Sequence, residues 1–244
     1  MQVDALAVRL RARSQMEAAD LGVCLCQHTA PSVYACLAMA ALPVVLLAIG
    51  SFELAAWLPS LVLWCAKPWL DRTILFVLSR AAFGQETRPA DVWRAQRDIW
   101  WRQLLFTWSI RRLSFWRSFT QPVYQLEGGS LREAGVRVRQ LRRGHAMSAL
   151  MITSAFGMAE LALTLALLSL VFWFAPSGTL PDTAEVFTGT MPRILAVAGP
   201  LSYAIAVLFL EPFYVAAGFA MYLNRRAELE AWDIEQEFRR AFVR

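Results

Sequence analysis

The chain has 244 residues, of which 57% are hydrophobic and 12% aromatic, with ten Trp, a mean hydropathy of +0.42 and a net charge of +5. Water cannot host that much apolar surface, so an ordinary soluble domain is excluded, and too little polar sequence remains for a separate soluble catalytic domain of usual size. The pI near 9.4 does not point to nucleic acid, because the basic residues flank apolar spans and are balanced by Asp and Glu in the same segments. Anionic lipid headgroups are the partner that pattern fits.

No cleavable signal sequence is expected. The first long apolar run starts only near Val33, after a segment carrying Asp4, Glu17 and Asp20 and lacking a small-residue cleavage site. Ser14-Gln15-Met16-Glu17 reads as a capping box and predicts an interfacial helix over 14–28, just after Arg9, Arg11 and Arg13. Cys24, Cys26 and His28 form a faint metal-like cluster, but the spacing fits no common zinc pattern and no second ligand pair follows. The cysteines are read as small apolar helix residues, and neither a metal nor a cofactor is expected. The uncharged run from Val33 to Gly50 approaches the roughly 20 residues that a bilayer core demands. It sets a first membrane span at 32–52, with Pro43 as a point where it can kink.

Ser51-Phe52-Glu53 is short enough to force an immediate antiparallel return. A second span is expected over 54–83, yet Lys67-Pro68-Trp69-Leu70-Asp71-Arg72 interrupts it. Neither half crosses alone, since about 13 residues cover only about 20 Å of a core about 30 Å thick. The segment reads as one helix broken near 67–72 that crosses with its charges inside. The alternative is a re-entrant pair, which the strongly basic segment that follows disfavours.

Over 88–117, Arg94, Arg97, Asp98 and Arg102 share one helical face and Val92, Trp93, Ile99, Trp100 and Leu104 the other, which predicts an interfacial amphipathic helix. Gln121 to Glu127 reads as an irregular link closed by Gly128-Gly129. A second capping box, Ser130-Leu131-Arg132-Glu133, launches a long helix over 131–175 that is rich in Arg at its start and becomes the third span from Ala146. Pro176 to Pro192 holds Asp182 and Glu185 but no basic residue, as an external loop should. A fourth span follows at 193–223, stopped by Asn224-Arg225-Arg226. A cytoplasmic amphipathic helix over 224–243 ends the series, with Ala227, Ala231, Ile234, Phe238 and Phe242 on one stripe.

With Lys67, Arg72 and Arg193 set aside, the other 21 of 24 basic residues fall on one side of these spans. That asymmetry predicts a multipass protein of a bacterial inner membrane with both termini cytoplasmic. The expected fold class is all-α, a polytopic bundle of about four transmembrane helices plus interfacial amphipathic helices.

Five charges fall inside the spans: Lys67, Asp71 and Arg72 in the second, Glu160 in the third and Glu211 in the fourth. Each costs about 2.5–3.5 kcal/mol at the centre of a bilayer unless it is paired, hydrated or reaches the surface. Glu160 and Glu211 lie at similar depth, each about 20 Å from the cytoplasmic end of its helix, and Lys67 and Asp71 are four apart on one helical face. Pro68 and Pro212 each remove a backbone donor beside this group, and such breaks line cavities in transporters. Polar residues in a bundle also act as interhelical glue. No enzyme is expected, because the chain lacks a Gly-rich phosphate loop and a nucleophile with a neighbouring His, and holds only His28 and a solvated, interfacial His145.

Three segments carry a resemblance: Arg13-Ser14 with Glu17-Ala18-Ala19-Asp20-Leu21-Gly22, then Trp64 to Arg80, then Glu211 to Arg240. Together they resemble uncharacterised proteobacterial multipass inner-membrane proteins, in particular the membrane module of proteins that contain the domain DUF4129. The resemblance implies a membrane subunit acting with a MoxR-type ATPase and other membrane or periplasmic partners, and it carries over no catalytic residue. The function expected is that of a non-enzymatic subunit or scaffold of a membrane assembly. The competing class is a transporter or channel for a small polar solute or proton that uses the intramembrane charges as its site.

Overall fold

A computed structural model describes residues 13–101, 114–174 and 193–230. The expected external loop, part of the 88–117 segment and the chain beyond Glu230 lie outside them. Every regular element among the described residues is helical: α1 Gln15–His28, α2 Ala30–Ser51, α3 Leu58–Ala81, α4 Pro89–Arg94, a π-helical turn Arg97–Trp101, α5 Arg117–Leu126, α6 Leu131–Arg142, α7 Ala146–Phe174 and α8 Arg193–Glu230. Three of them, α2, α7 and α8, are long and apolar enough to cross a membrane.

Local chemistry sets the boundaries. Ser14 is extended at the N-cap of α1, and its Oγ accepts from the Glu17 N–H at 3.2 Å. The Glu17 carboxylate lies 3.6 Å from Arg13 Nε. At α6 the reciprocal capping box is complete, with Ser130 Oγ accepting from the Glu133 N–H and Glu133 accepting from the Ser130 N–H.

Five expectations need correction. The return after α2 takes residues 52–57 rather than three, because α3 starts at Leu58 with Pro59 in its first turn, where a missing N–H costs no helical bond. The break expected near 67–72 is absent: α3 runs through Pro68 as 24 continuous residues, which leaves no turn for a re-entrant pair. The 88–117 segment is not one helix, since α4 ends at Arg94 and a π-helical turn follows. Gln121–Leu126 is helical rather than irregular, and lies within α5. The long helix over 131–175 is two helices, parted at Arg143-Gly144-His145, where Gly144 takes φ +81, a left-handed conformation that favours glycine as a helix terminator.

A sixth correction concerns the C-terminal end. The helix does not end at Asn224-Arg225-Arg226; α8 continues through it to Glu230, so 193–223 and the start of the 224–243 segment are one helix. The Asn224 amide is spent on side-chain bonds, donating to Arg13 O and Glu228 Oε1, both at 3.0 Å. Arg225 pairs with Glu228 at 2.8 Å and Arg226 with Glu230 at 3.0 Å, the three- and four-residue spacings that support a helix from its own surface.

The chain divides into two compact units, one from Met1–Ala40, Pro68–Ser154 and Pro212–Arg244, the other from Ala41–Lys67 and Ala155–Glu211. In the first, α1 presents Ala18, Ala19, Gly22 and Cys26, all buried. A Cβ built on Gly22 would stand 2.2 Å from Ala216 O, and one on Gly218 would stand 2.3 Å from Ser118 Cβ. Glycines thus let α1 and α5 close onto α8 at backbone distance. Leu70, Ile74, Leu78, Phe119, Phe219 and Tyr222 are buried in the same unit. Trp100 stacks on Trp69 with centroids 4.7 Å apart and donates from Nε1 to Thr73 Oγ1 at 2.9 Å.

Replacing Gly22 with Val should cost about 1–3 kcal/mol through overpacking and lower the unfolding temperature in detergent. Gly50→Ala should not, because a Cβ there meets nothing within 4 Å. Equal behaviour of the two variants in thermal unfolding would mean that α1 is not seated at Ala216.

Candidate functional site

An ammonium among apolar helices needs acceptors, and in the second unit three helices supply one group. Lys67 on α3 places Nζ 2.5 Å from Glu160 Oε2 on α7 and 3.0 Å from Glu211 Oε2 on α8. The side chains are 11%, 19% and 2% exposed, respectively. Tyr203, two turns before Glu211 on α8, hydrogen-bonds Glu160 through its hydroxyl. Thr164 Oγ1 donates to Glu160 O at 2.7 Å, a bond along α7 that keeps the Thr hydroxyl satisfied in an apolar helix. A single cation therefore joins three helices through charge-assisted contacts, the strong kind of hydrogen bond in a low dielectric.

The two proline positions bear on this group from within their own helices. Pro68 cannot donate to Trp64 O, nor Pro212 to Leu208 O. Each carbonyl so released lies within one turn of Lys67 or Glu211 along the same helix. Both helices nevertheless remain continuous, so these prolines are not helix breaks.

The remaining two charges belong to the first unit. Asp71, wholly buried, lies 2.9 Å from Arg117 Nε. Arg72 Nη2 donates to Asp98 O at 3.3 Å, and the Arg72 carbonyl accepts from Gln125 Nε2 at 2.8 Å. The Arg117 guanidinium also stands over the Tyr214 ring, 5.4 Å from its centroid. Tyr214 Oη lies 3.3 Å from Thr153 Oγ1 and accepts from the Ser118 N–H at 3.4 Å. Sequence reasoning places Arg117 at the end of an interfacial helix and misses this role. The available signal was charge arithmetic: two Glu claim Lys67, which leaves Asp71 in need of a cation from another helix.

Other candidates do not assemble. Cys26 is fully buried while Cys24 is exposed, and burial pushes the Cys26 thiol up to about 12. His28 Nδ1 is 3.1 Å from Cys24 O. Among the described residues no group of three His, Cys, Asp or Glu is placed to hold a metal ion. His145 is half-buried, 3.7 Å from Glu228, and burial together with Arg225 holds its imidazole below the ordinary range against the opposing pull of Glu228.

No family model, no curated protein and no solved structure matches the chain. The reading of the site rests on its own geometry.

Lys67→Met should cost about 3–5 kcal/mol, the penalty for leaving buried carboxylates without their cation. Adding Glu160→Gln and Glu211→Gln to that variant should recover most of the loss. Thermal unfolding in detergent measures both, and a single variant as stable as the parent chain would show that the ammonium carries no structural duty.

Proposed function

We propose that this chain is an integral protein of a bacterial inner membrane, crossing it four times with α2, α3, α7 and α8, and serving as a non-enzymatic subunit or scaffold of a membrane assembly. The observation that carries this reading is the Lys67 ammonium held between Glu160 and Glu211. Its partners are within contact distance, as in a device that fixes packing and register. α3 is 24 residues long, about 36 Å by helical rise, enough for the fourth span. Lys67, Asp71 and Arg72 lower its hydropathy, yet each of the three is drawn into a contact with another helix or turn.

The subunit reading is supported by α7, whose apolar spanning window has none of its residues buried within this chain. Lipid or a partner helix covers it. The exposed Trp93 and Trp101 suit headgroup level, which supports interfacial placement of α4 and the π-helical turn, beside anionic lipids. Both termini are cytoplasmic in this proposal, and the resemblance described above makes a system with a MoxR-type ATPase the first partner to test.

A second reading, transport of a small polar solute or proton, is favoured by one observation: the carbonyls released by Pro68 and Pro212 add acceptors within a turn of Lys67 and Glu211. Glu211→Gln separates the two. If the group is structural, the variant loses thermal stability in detergent and no solute flux depends on it; if it transports, flux into liposomes stops while the fold survives. Purification in mild detergent at native expression should retain a stoichiometric partner, identified by mass spectrometry. A reporter fused at Thr183 should read as external, and a cytoplasmic reading there would overturn the four-span topology.

A further inference from the structure

The first unit contains a groove of about 480 Å³ where the junction of α1 and α2 faces the segment between α3 and α4. Its lining includes His28, Ser32, Gln85, Glu86 and Arg88. Ser32 Oγ donates to Thr87 O at 2.5 Å, which ties the 85–88 segment to α2. Residues 85–88 are outside any helix, and Arg88 has an extended backbone (φ −103, ψ 157). Glu86 and Arg88 both line the groove. Both side chains are exposed and neither has an ion pair among the described residues. Two opposite charges thus line one groove, neither side chain being spent on an ion pair among the described residues.

We propose that this groove binds a small zwitterion, the phosphoethanolamine group, with phosphate on Arg88 and ammonium on Glu86. The guanidinium fork matches phosphate oxygens in pairs. Gln85 adds amide donors on the same segment. The His28 Nδ1–H donates to Cys24 O, so in the neutral ring Nε2 is left as an acceptor, suited to a primary ammonium and unable to bond a quaternary one. A single-sign ligand satisfies only one of the two charges and brings its own charge against the other. The chemistry has two sources, phosphatidylethanolamine in a membrane and free phosphoethanolamine. The lipid source depends on the membrane reading; the groove does not, and it uses none of Lys67, Glu160 or Glu211.

The test is thermal unfolding of the full chain in mild detergent with short-chain phosphatidylethanolamine, phosphatidylcholine or phosphatidylglycerol, and with free phosphoethanolamine or glycine. Binding to the folded state alone raises the unfolding temperature in proportion to ligand occupancy. Phosphatidylethanolamine should raise it by several degrees, phosphatidylcholine and phosphatidylglycerol should not, and Glu86→Gln or Arg88→Gln should each abolish the rise. Because both side chains are exposed and unpaired, the variants should unfold at the parent temperature without lipid, which separates lost binding from lost folding. A matching rise with free phosphoethanolamine assigns the soluble source; a rise with the lipid alone assigns the membrane. Equal stabilisation by phosphatidylglycerol, a rise with glycine, persistence of the effect in both variants, or no rise with either phosphoethanolamine form overturns the proposal.

Discussion

One ammonium between two carboxylates is the constraint on which the second unit depends. Without acceptors, Lys67 would bar α3 from an apolar environment, because an unpaired charge there costs more than the burial of several Leu side chains returns. With Glu160 and Glu211 in contact, the same residue becomes a fixed point. It sets the rotation of α3, since only one face of the helix bears the ammonium, and it sets the axial register of α7 and α8, since each carboxylate has to arrive at the same height. Apolar side chains alone do not specify register so sharply, because one Leu-rich surface slides over another at little cost.

The first unit solves a similar problem by different means. Asp71 takes Arg117, and the guanidinium is backed by the Tyr214 ring, a contact in which the ring face adds attraction to a cation already held by a carboxylate. Around this pair the helices approach closely because Gly22 and Gly218 have no Cβ to hold them apart. Close approach maximises dispersion contacts, and in lipid, where the hydrophobic effect no longer drives helices together, such packing is the main source of cohesion. Toward the C-terminal end of α8, Arg137 reaches both Glu127 and Glu230, and Tyr222 donates to Glu127 at 2.7 Å, so surface charge continues the cross-linking that the core begins.

Helical class and the apolar helices were legible because length and hydropathy are properties of single segments. Ser14 and Ser130 marked helix starts for the same reason, since a cap involves residues only three apart. Lys67, Glu160 and Glu211 could be suspected together because buried charge carries a penalty that has to be offset somewhere, and similar depth made their meeting plausible. What could not be read was continuity. Pro68 and Asn224 look like interruptions, yet both helices run on through them, past Asn224 with the help of local pairs to Glu228 and Glu230 and one bond to the distant Arg13 carbonyl. Gly144 is the opposite case: an ordinary glycine in an Arg-rich run turns out to take a left-handed conformation and cut one expected helix into two. Arg117 was missed for a third reason, because its partner is chosen by the packing of α3 against α5 and by nothing local to either helix.

The pairing of Lys67 also bears on how the chain is made. Glu160 follows it by 93 residues, and Glu211 comes later still. In the membrane reading, α2 leaves the ribosome as a plain apolar segment that can settle at once, whereas α3 emerges bearing an ammonium whose two carboxylates do not yet exist. Its integration has to wait for α7 and α8, so the order of assembly differs from the order of synthesis. A nascent chain cut off before α8 is then not half of a working bundle but a substrate for quality-control proteolysis.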